Sequence, residues 1–193
     1  MIKNFKVNQC RYIATNDLYD VRINNWSRRY EWWYAYLAAC VDNPHSILNA
    51  ACGESEIHGQ FNNLLDSIGT LVYNCDIARS PINTKFKNFF QHDILKPFGT
   101  KYDHVYCIST IEDFVSPKLT AEAIENLWEA TGQRLIITAD IYDKVRPEWF
   151  SEPLGLAAPI LPPNALNGGN SGYAQHEFAH INILLVDISY DPT

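Results

Sequence analysis

Between Ser46 and Ala139 the sequence alternates apolar runs of strand length with segments whose apolar residues recur at helical spacing. Ser46–Ala51, Thr70–Cys75, Asp103–Ile108 and Arg134–Ala139 are apolar runs bounded by turn residues, the pattern of buried strands. Glu54–Ile68 carries Ile57, Phe61, Leu64, Leu65 and Ile68 at the spacing of an amphipathic helix, and Pro117–Ala130 repeats it with Leu119, Ala123, Ile124 and Leu127. Asn88–Gln91 fits a short additional strand. Strands joined through helices cross over right-handedly, so the alternation predicts an α/β chain with a mostly parallel sheet and helices on both faces.

The flanks are less regular. Residues 1–45 are rich in Tyr and Trp, with Trp26, Tyr30, Trp33 and Leu37 three and four apart, and read as a helical cover. Residues 141–193 begin as a long connection punctuated by Pro159, Pro162, Pro163, Gly168, Gly169 and Gly172. They end in Ile181–Ser189, expected as an antiparallel C-terminal strand. At 193 residues, with 47% hydrophobic and 19% charged positions, the chain is expected to form a single domain around the 46–140 core.

A net charge of -7 works against nucleic-acid binding, which draws its affinity from Lys and Arg on phosphates. Arg28 and Arg29 among aromatics could stack bases, but the same composition makes a packing helix. The five cysteines form an odd set without paired spacing, which points to reduced thiols. No stretch approaches the roughly 20 apolar residues of a membrane span, and the N-terminus has no signal-like apolar run. A cytoplasmic protein is expected.

In an open α/β sheet, ligands bind beyond the carboxyl ends of the strands. The residues there are small or polar: Ala51-Cys52-Gly53-Glu54-Ser55, then Asp76, then His92-Asp93-Ile94, then Ser109-Thr110-Ile111-Glu112-Asp113. Asp76 stands where a carboxylate can accept both hydroxyl hydrogens of a ribose. The ordered series Ile47-Leu48-Asn49-Ala50-Ala51-Cys52-Gly53, Asp76, His92-Asp93-Ile94 and Tyr102–Ser109 resembles class I S-adenosylmethionine-dependent methyltransferases over residues 46–140. The resemblance implies a Rossmann-like, doubly wound fold and S-adenosylmethionine as cofactor. It puts the Gly-rich turn under the methionine part, Asp76 on the ribose, Asp93 on the adenine amino group and Ile77 and Ile94 on either side of the adenine. Ile108 and Ser109 lie beside the ligand. The implied cofactor-binding set is Asn49, Ala51, Cys52, Gly53, Asp76, Ile77, His92, Asp93, Ile94, Ile108 and Ser109. Arg28-Arg29-Tyr30-Glu31-Trp32-Trp33 is similar to an element that covers the cofactor in some small methyltransferases, although an aromatic helix packed on the sheet gives the same pattern.

The turn departs from the family. Asn49 replaces the usual acid, Ala51 the first Gly, and Ser55 the Gly after Glu54. Ala and Ser add little bulk, so binding can survive; a catalytically inactive cofactor-binding or interaction protein is the alternative. Each acid also has a structural use, Asp76 and Asp93 as caps of the next turn. A nicotinamide-binding protein would explain Asp76 too, but its three-glycine turn is missing.

His176-Glu177-Phe178-Ala179-His180 matches the zinc-protease pattern, which needs a helix to bring both His residues to one ion. The β-branched run that follows favours a strand, where residues four apart are about 13 Å distant. No metal is expected.

Methyl transfer from a sulfonium mainly requires alignment and exclusion of water. A base is needed only for hydroxyl or similar acceptors. Glu112 is the chosen candidate, with Asp113 and Tyr142 behind it; as a plain alternative, Glu112 is an acid at a helix N-terminus. No Asp/Asn-Pro-Pro-aromatic run follows the strand at Asp103–Ile108, which argues against the amino methylation seen in families with that element. A small-molecule acceptor, such as a sugar or nucleotide-sugar derivative, is the expectation left.

Overall fold

The computed structural model describes residues 4–14, 26–114, 116–141, 153 and 182–191. Seven strands form one sheet: β1 (Phe5–Ala14), β2 (Ser46–Ala50), β3 (Leu71–Asp76), β4 (Phe89–Gln91), β5 (Tyr102–Ile108), β6 (Thr131–Ile141) and β7 (Asn182–Tyr190). Their order is β1-β7-β6-β5-β2-β3-β4. Every pairing from β4 to β6 is parallel, and β7 runs antiparallel to both β6 and β1. This is the Rossmann-like, mostly parallel arrangement the alternation predicts, with the C-terminal strand reversed.

Among the described residues three helices cover it: α1 (Trp26–Asp42), α2 (Glu56–Asp66) and α3 (Pro117–Glu129). The central strands are buried on both faces because each face has its own core. Leu48, Val105, Leu135, Val186 and neighbours pack with Ala123, Ile124 and Leu127 of α3. On the other face Ile47, Val72, Tyr106, Ile136 and Leu185 pack with Trp32, Ala35, Ala38 and Ala39 of α1 and Phe61 and Leu65 of α2. Pro117 suits the first turn of α3, where its missing N–H costs nothing.

Three expectations need correction. Residues 1–45 are not wholly a helical cover, since Phe5–Ala14 is an edge strand whose register with β7 shifts between Val7 and Gln9. The extra residue breaks the period of two, and Lys6, Gln9 and Arg11 give the run the polar look of an edge strand. Secondly, the Trp33 and Leu37 stripe of α1 is exposed, and the face on the sheet is Trp32, Ala35, Ala38 and Ala39. Three alanines let the helix backbone come close to the sheet, and Trp32 packs in the same core. Thirdly, Ile57 and Leu119, both in the first turns of their helices, are exposed, whereas the later residues of each stripe reach the core. Among the described residues no helix is long and apolar enough to cross a membrane.

Candidate functional site

The chain leaves β2 through α2 to β3 and β4 on one side, then returns to β5 and β6 on the other. Because α2 and α3 lie on opposite faces, the carboxyl ends of β2 and β5 are left with a crevice between them. A cavity of about 420 Å³ opens there. Its walls are Asn49, Ala51, Cys52 and Gly53 after β2, Asp76 and Ile77 after β3, and Asp93, Ile94 and Leu95 after β4. Ile108, Ser109, Thr110, Asp113 and Phe114 follow β5, and Trp32, His58 and Phe61 come from the helices.

The turn after β2 is held tightly. The Cys52 N–H donates to the Cys75 carbonyl at 2.8 Å, and the Gly53 N–H donates to Asp76 Oδ2 at 2.9 Å. Both Ala51 (φ 52°) and Gly53 (φ 75°) are left-handed. For Gly53 that is free, whereas at Ala51 the side chain costs about 1 kcal/mol. A Cβ on Gly53 would stand 1.9 Å from His58 Nδ1, so only glycine fits. Burial, with the Asp76 charge close by, pushes the Cys52 thiol up, so it is an uncharged, nearly apolar part of the wall.

Asp76 is the most informative residue. Oδ2 takes the Gly53 N–H, and Oδ1 takes the Ala78 N–H at 2.9 Å. An ionised carboxylate has about four lone-pair sites, so two are used by backbone and about two remain at the cavity, the number a vicinal diol needs. Asp93 is likewise part of its own turn, Oδ1 accepting the Leu95 N–H at 3.0 Å, and also reaches the cavity. Ile94 is buried beside it, while Ile77 is 65% exposed at the rim.

Asn49 touches the cavity, but its amide belongs to a buried network. Nδ2 donates to Asn74 Oδ1 at 3.1 Å and Asn62 Oδ1 at 3.5 Å. Those two oxygens are fixed in place because Asn74 Nδ2 donates to the Lys87 carbonyl and Asn62 Nδ2 to the His58 carbonyl. A donor is therefore required at position 49, which explains why an acid is absent there.

On the β5 side, Ser109 (φ 45°) donates its Oγ–H to Glu31 Oε1 at 2.7 Å. Glu31 is fully buried, so α1 is pinned to the end of β5. Trp32 stacks on Phe61 with ring centroids 5.7 Å apart, closing the cavity from the helix side. The N-terminal helix therefore both packs on the sheet and walls the cavity.

Two expected site residues lie elsewhere. His92 turns away, its Nε2 3.1 Å from the Lys96 carbonyl and its ring 4.2 Å from that of Phe98. Glu112 is 4% exposed and does not line the cavity. It lies in a 3₁₀ turn, Ile111–Asp113, whose three residues point in three directions, and the one that reaches the cavity is Asp113. Tyr142, the Pro/Gly-rich connection, the His176–His180 motif and the side chains of Arg28 and Arg29 lie outside the described residues. His58 was not anticipated, although Ser55 followed three positions later by His58 has the spacing of a capping box.

No family model and no curated protein matches the chain. Solved structures do. Magnesium protoporphyrin IX methyltransferase from Synechocystis PCC 6803 with bound S-adenosylmethionine aligns with a TM-score of 0.59 and 18% identity, over 85% of this chain and 80% of that one. The N-methyltransferase NodS from Bradyrhizobium japonicum WM9, in complex with S-adenosylhomocysteine, aligns with a TM-score of 0.58 and 15% identity over 92% and 94%. The shared feature is the fold. PH0226 from Pyrococcus horikoshii OT3 aligns similarly, with a TM-score of 0.55 and 16% identity over 90% and 95%.

Proposed function

We propose that this chain binds S-adenosylmethionine in the cavity at the strand ends and transfers its methyl group to a small-molecule acceptor, a sugar or nucleotide-sugar derivative. The observation that carries the reading is Asp76: a carboxylate with two lone-pair sites open, at the topological switch point, beside a turn only glycine can complete. Solved proteins of this fold hold S-adenosylmethionine or its demethylated product.

The residues fit such a ligand. Asp76 would take the ribose hydroxyls, Asp93 the adenine amino group, and Ile77 and Ile94 the two sides of the base. Ala51, Cys52 and Gly53 would lie under the methionine part, with Ile108 and Ser109 along it. The bound cofactor supplies an activated methyl group on a sulfonium. Trp32, Phe61 and Phe114 would exclude water around it, and Asp113 would take a proton from a hydroxyl or amine acceptor. Glu112 is set aside as the base because it does not reach the cavity.

The test is incubation with methyl-labelled S-adenosylmethionine and a panel of sugars, amino sugars and nucleotide sugars, reading S-adenosylhomocysteine and labelled product. Acceptor-dependent turnover that Asp76→Ala removes is the expected result. Cofactor binding without turnover on any acceptor would favour the non-catalytic alternative, which the strained Ala51 and the missing acid at Asn49 would suit.

A further inference from the structure

We propose that the acceptor is an amine bound in its ammonium form, an amino sugar in preference to a nucleotide sugar, and that Asp113 receives it. The inference rests on the cofactor reading above and narrows its acceptor. Three carboxylates, Asp76, Asp93 and Asp113, line the cavity, and the protein uses them unequally. Asp76 accepts two backbone N–H groups and Asp93 accepts one. Among the described residues nothing donates a hydrogen bond to the Asp113 carboxylate or forms an ion pair with it. The cofactor would take up the open capacity of the first two, which leaves Asp113 for the acceptor.

The position of Asp113 is fixed although its charge is unanswered. Its N–H donates to the Thr110 carbonyl and the Phe114 N–H to the Ile111 carbonyl, each at 3.1 Å, and Ile111 is fully buried. The turn therefore holds the carboxylate at the exposed rim of the cavity. Trp32 and Phe114 bring aromatic rings to the same cavity, and ring faces attract cations.

Charge then separates the acceptor classes. The described lining residues include no Lys or Arg, the side chains that answer a phosphate. A nucleotide sugar would bring its diphosphate among acids, whereas an ammonium meets an open carboxylate. An ammonium must lose one proton before its nitrogen has a lone pair to give. Asp113 takes that proton and, being exposed, passes it to water. The lone pair forms the N–C bond as the C–S bond breaks and leaves its electron pair on sulfur, so the products are S-adenosylhomocysteine and a methylated ammonium.

The experiment is calorimetry on the full chain saturated with S-adenosylhomocysteine, with glucosamine, glucose and UDP-glucose as probes that share one ring. Wild type, Asp113→Asn and Asp113→Glu are compared, with a thermal melt of each to confirm folding. The account expects the wild type to bind glucosamine about tenfold or more tighter than either other probe, the worth of one charge-assisted hydrogen bond. Asp113→Asn should remove that preference without changing the affinity for S-adenosylhomocysteine, and Asp113→Glu should keep part of it. With S-adenosylmethionine in place of the product, methyl transfer to glucosamine should fall at least about tenfold in Asp113→Asn. Equal binding of the three probes, a preference for UDP-glucose, no binding of glucosamine, or a preference that survives Asp113→Asn would overturn the amine assignment while leaving the cofactor reading in place. A wild-type chain that does not bind S-adenosylhomocysteine would overturn both.

Discussion

Two carboxylates at opposite ends of the parallel strands, Asp187 and Asp76, are built on opposite plans. At the amino ends of the parallel strands, Asp187 is fully buried and receives four hydrogen bonds. Asn8 Nδ2 and Arg134 Nε reach Oδ1, and Tyr34 OH and Arg134 Nη2 reach Oδ2. Arg134 spends a further N–H on Asp42 at 2.6 Å, and Asp42 lies 3.3 Å from the buried His104. At the carboxyl ends, Asp76 receives two hydrogen bonds, both from backbone. With about four lone-pair sites on each carboxylate, Asp187 is saturated by its own protein and Asp76 is half-used. The buried charge of Asp187, fully answered internally, ties β1, β6, β7 and α1 together; the partly buried Asp76 on the cavity wall, only half answered, has capacity for something else. Hydrogen bonds counted together with burial separate an acid that holds the fold from one with capacity for a ligand.

The largest effect is expected at the closed end. Asp187→Ala leaves the partly buried Arg134 with Asp42 as its remaining acid and takes the acceptor from Tyr34 and Asn8, and losing these hydrogen bonds to a buried charge should cost about 3 kcal/mol. Urea unfolding should show that loss, with ligand affinity at the cavity little changed in the folded fraction. If Asp76→Ala lost as much stability, the distinction between the two acids would fail.

The same cluster should make stability depend on pH. Burial holds the His104 imidazole down at about 4, with Arg134 lowering it further and Asp42, Asp103 and Asp187 pulling the other way. The unfolded chain takes up that proton near pH 6.5, so the unfolded state binds more protons between about 6.5 and about 4. Stability from this group is therefore present above pH 6.5 and lost as the pH falls, by roughly 3 kcal/mol in all. Denaturation midpoints across that window should fall less steeply in His104→Asn; an unchanged slope would remove His104 from the account.

The smallest effect sharpens the open end. Ala51 is left-handed without being glycine, so Ala51→Gly should raise stability by roughly 0.5–1 kcal/mol, read as an increase in melting temperature. A decrease would mean the turn is not strained at that residue.

Much of this is legible in the sequence. β2, β3, β5 and β6 announce themselves because strands buried on both faces are apolar throughout, and the strand-end rule then brings Ala51–Gly53, Asp76, Asp93 and Ser109 to one cavity. What is not legible there depends on distances that periodicity does not encode. The bulge at Asn8 hides β1, and the three alanines of α1 bury a less apolar-looking face than the Trp33 stripe. The 3₁₀ turn exchanges Glu112 for Asp113, and Phe98 takes His92 out of the wall. His58 needed the turn itself to be seen, because its position is set by the Cβ that Gly53 lacks.

The central claim is that the open half of Asp76 is a ligand's share. Titrating S-adenosylhomocysteine into wild type and Asp76→Ala tests it directly. The account predicts micromolar binding by the wild type and a loss of at least about a hundredfold in the variant, the worth of two hydrogen bonds to a charged group, with the variant's fold intact. Equal affinity in the two proteins, or no binding to a folded wild type, would contradict it.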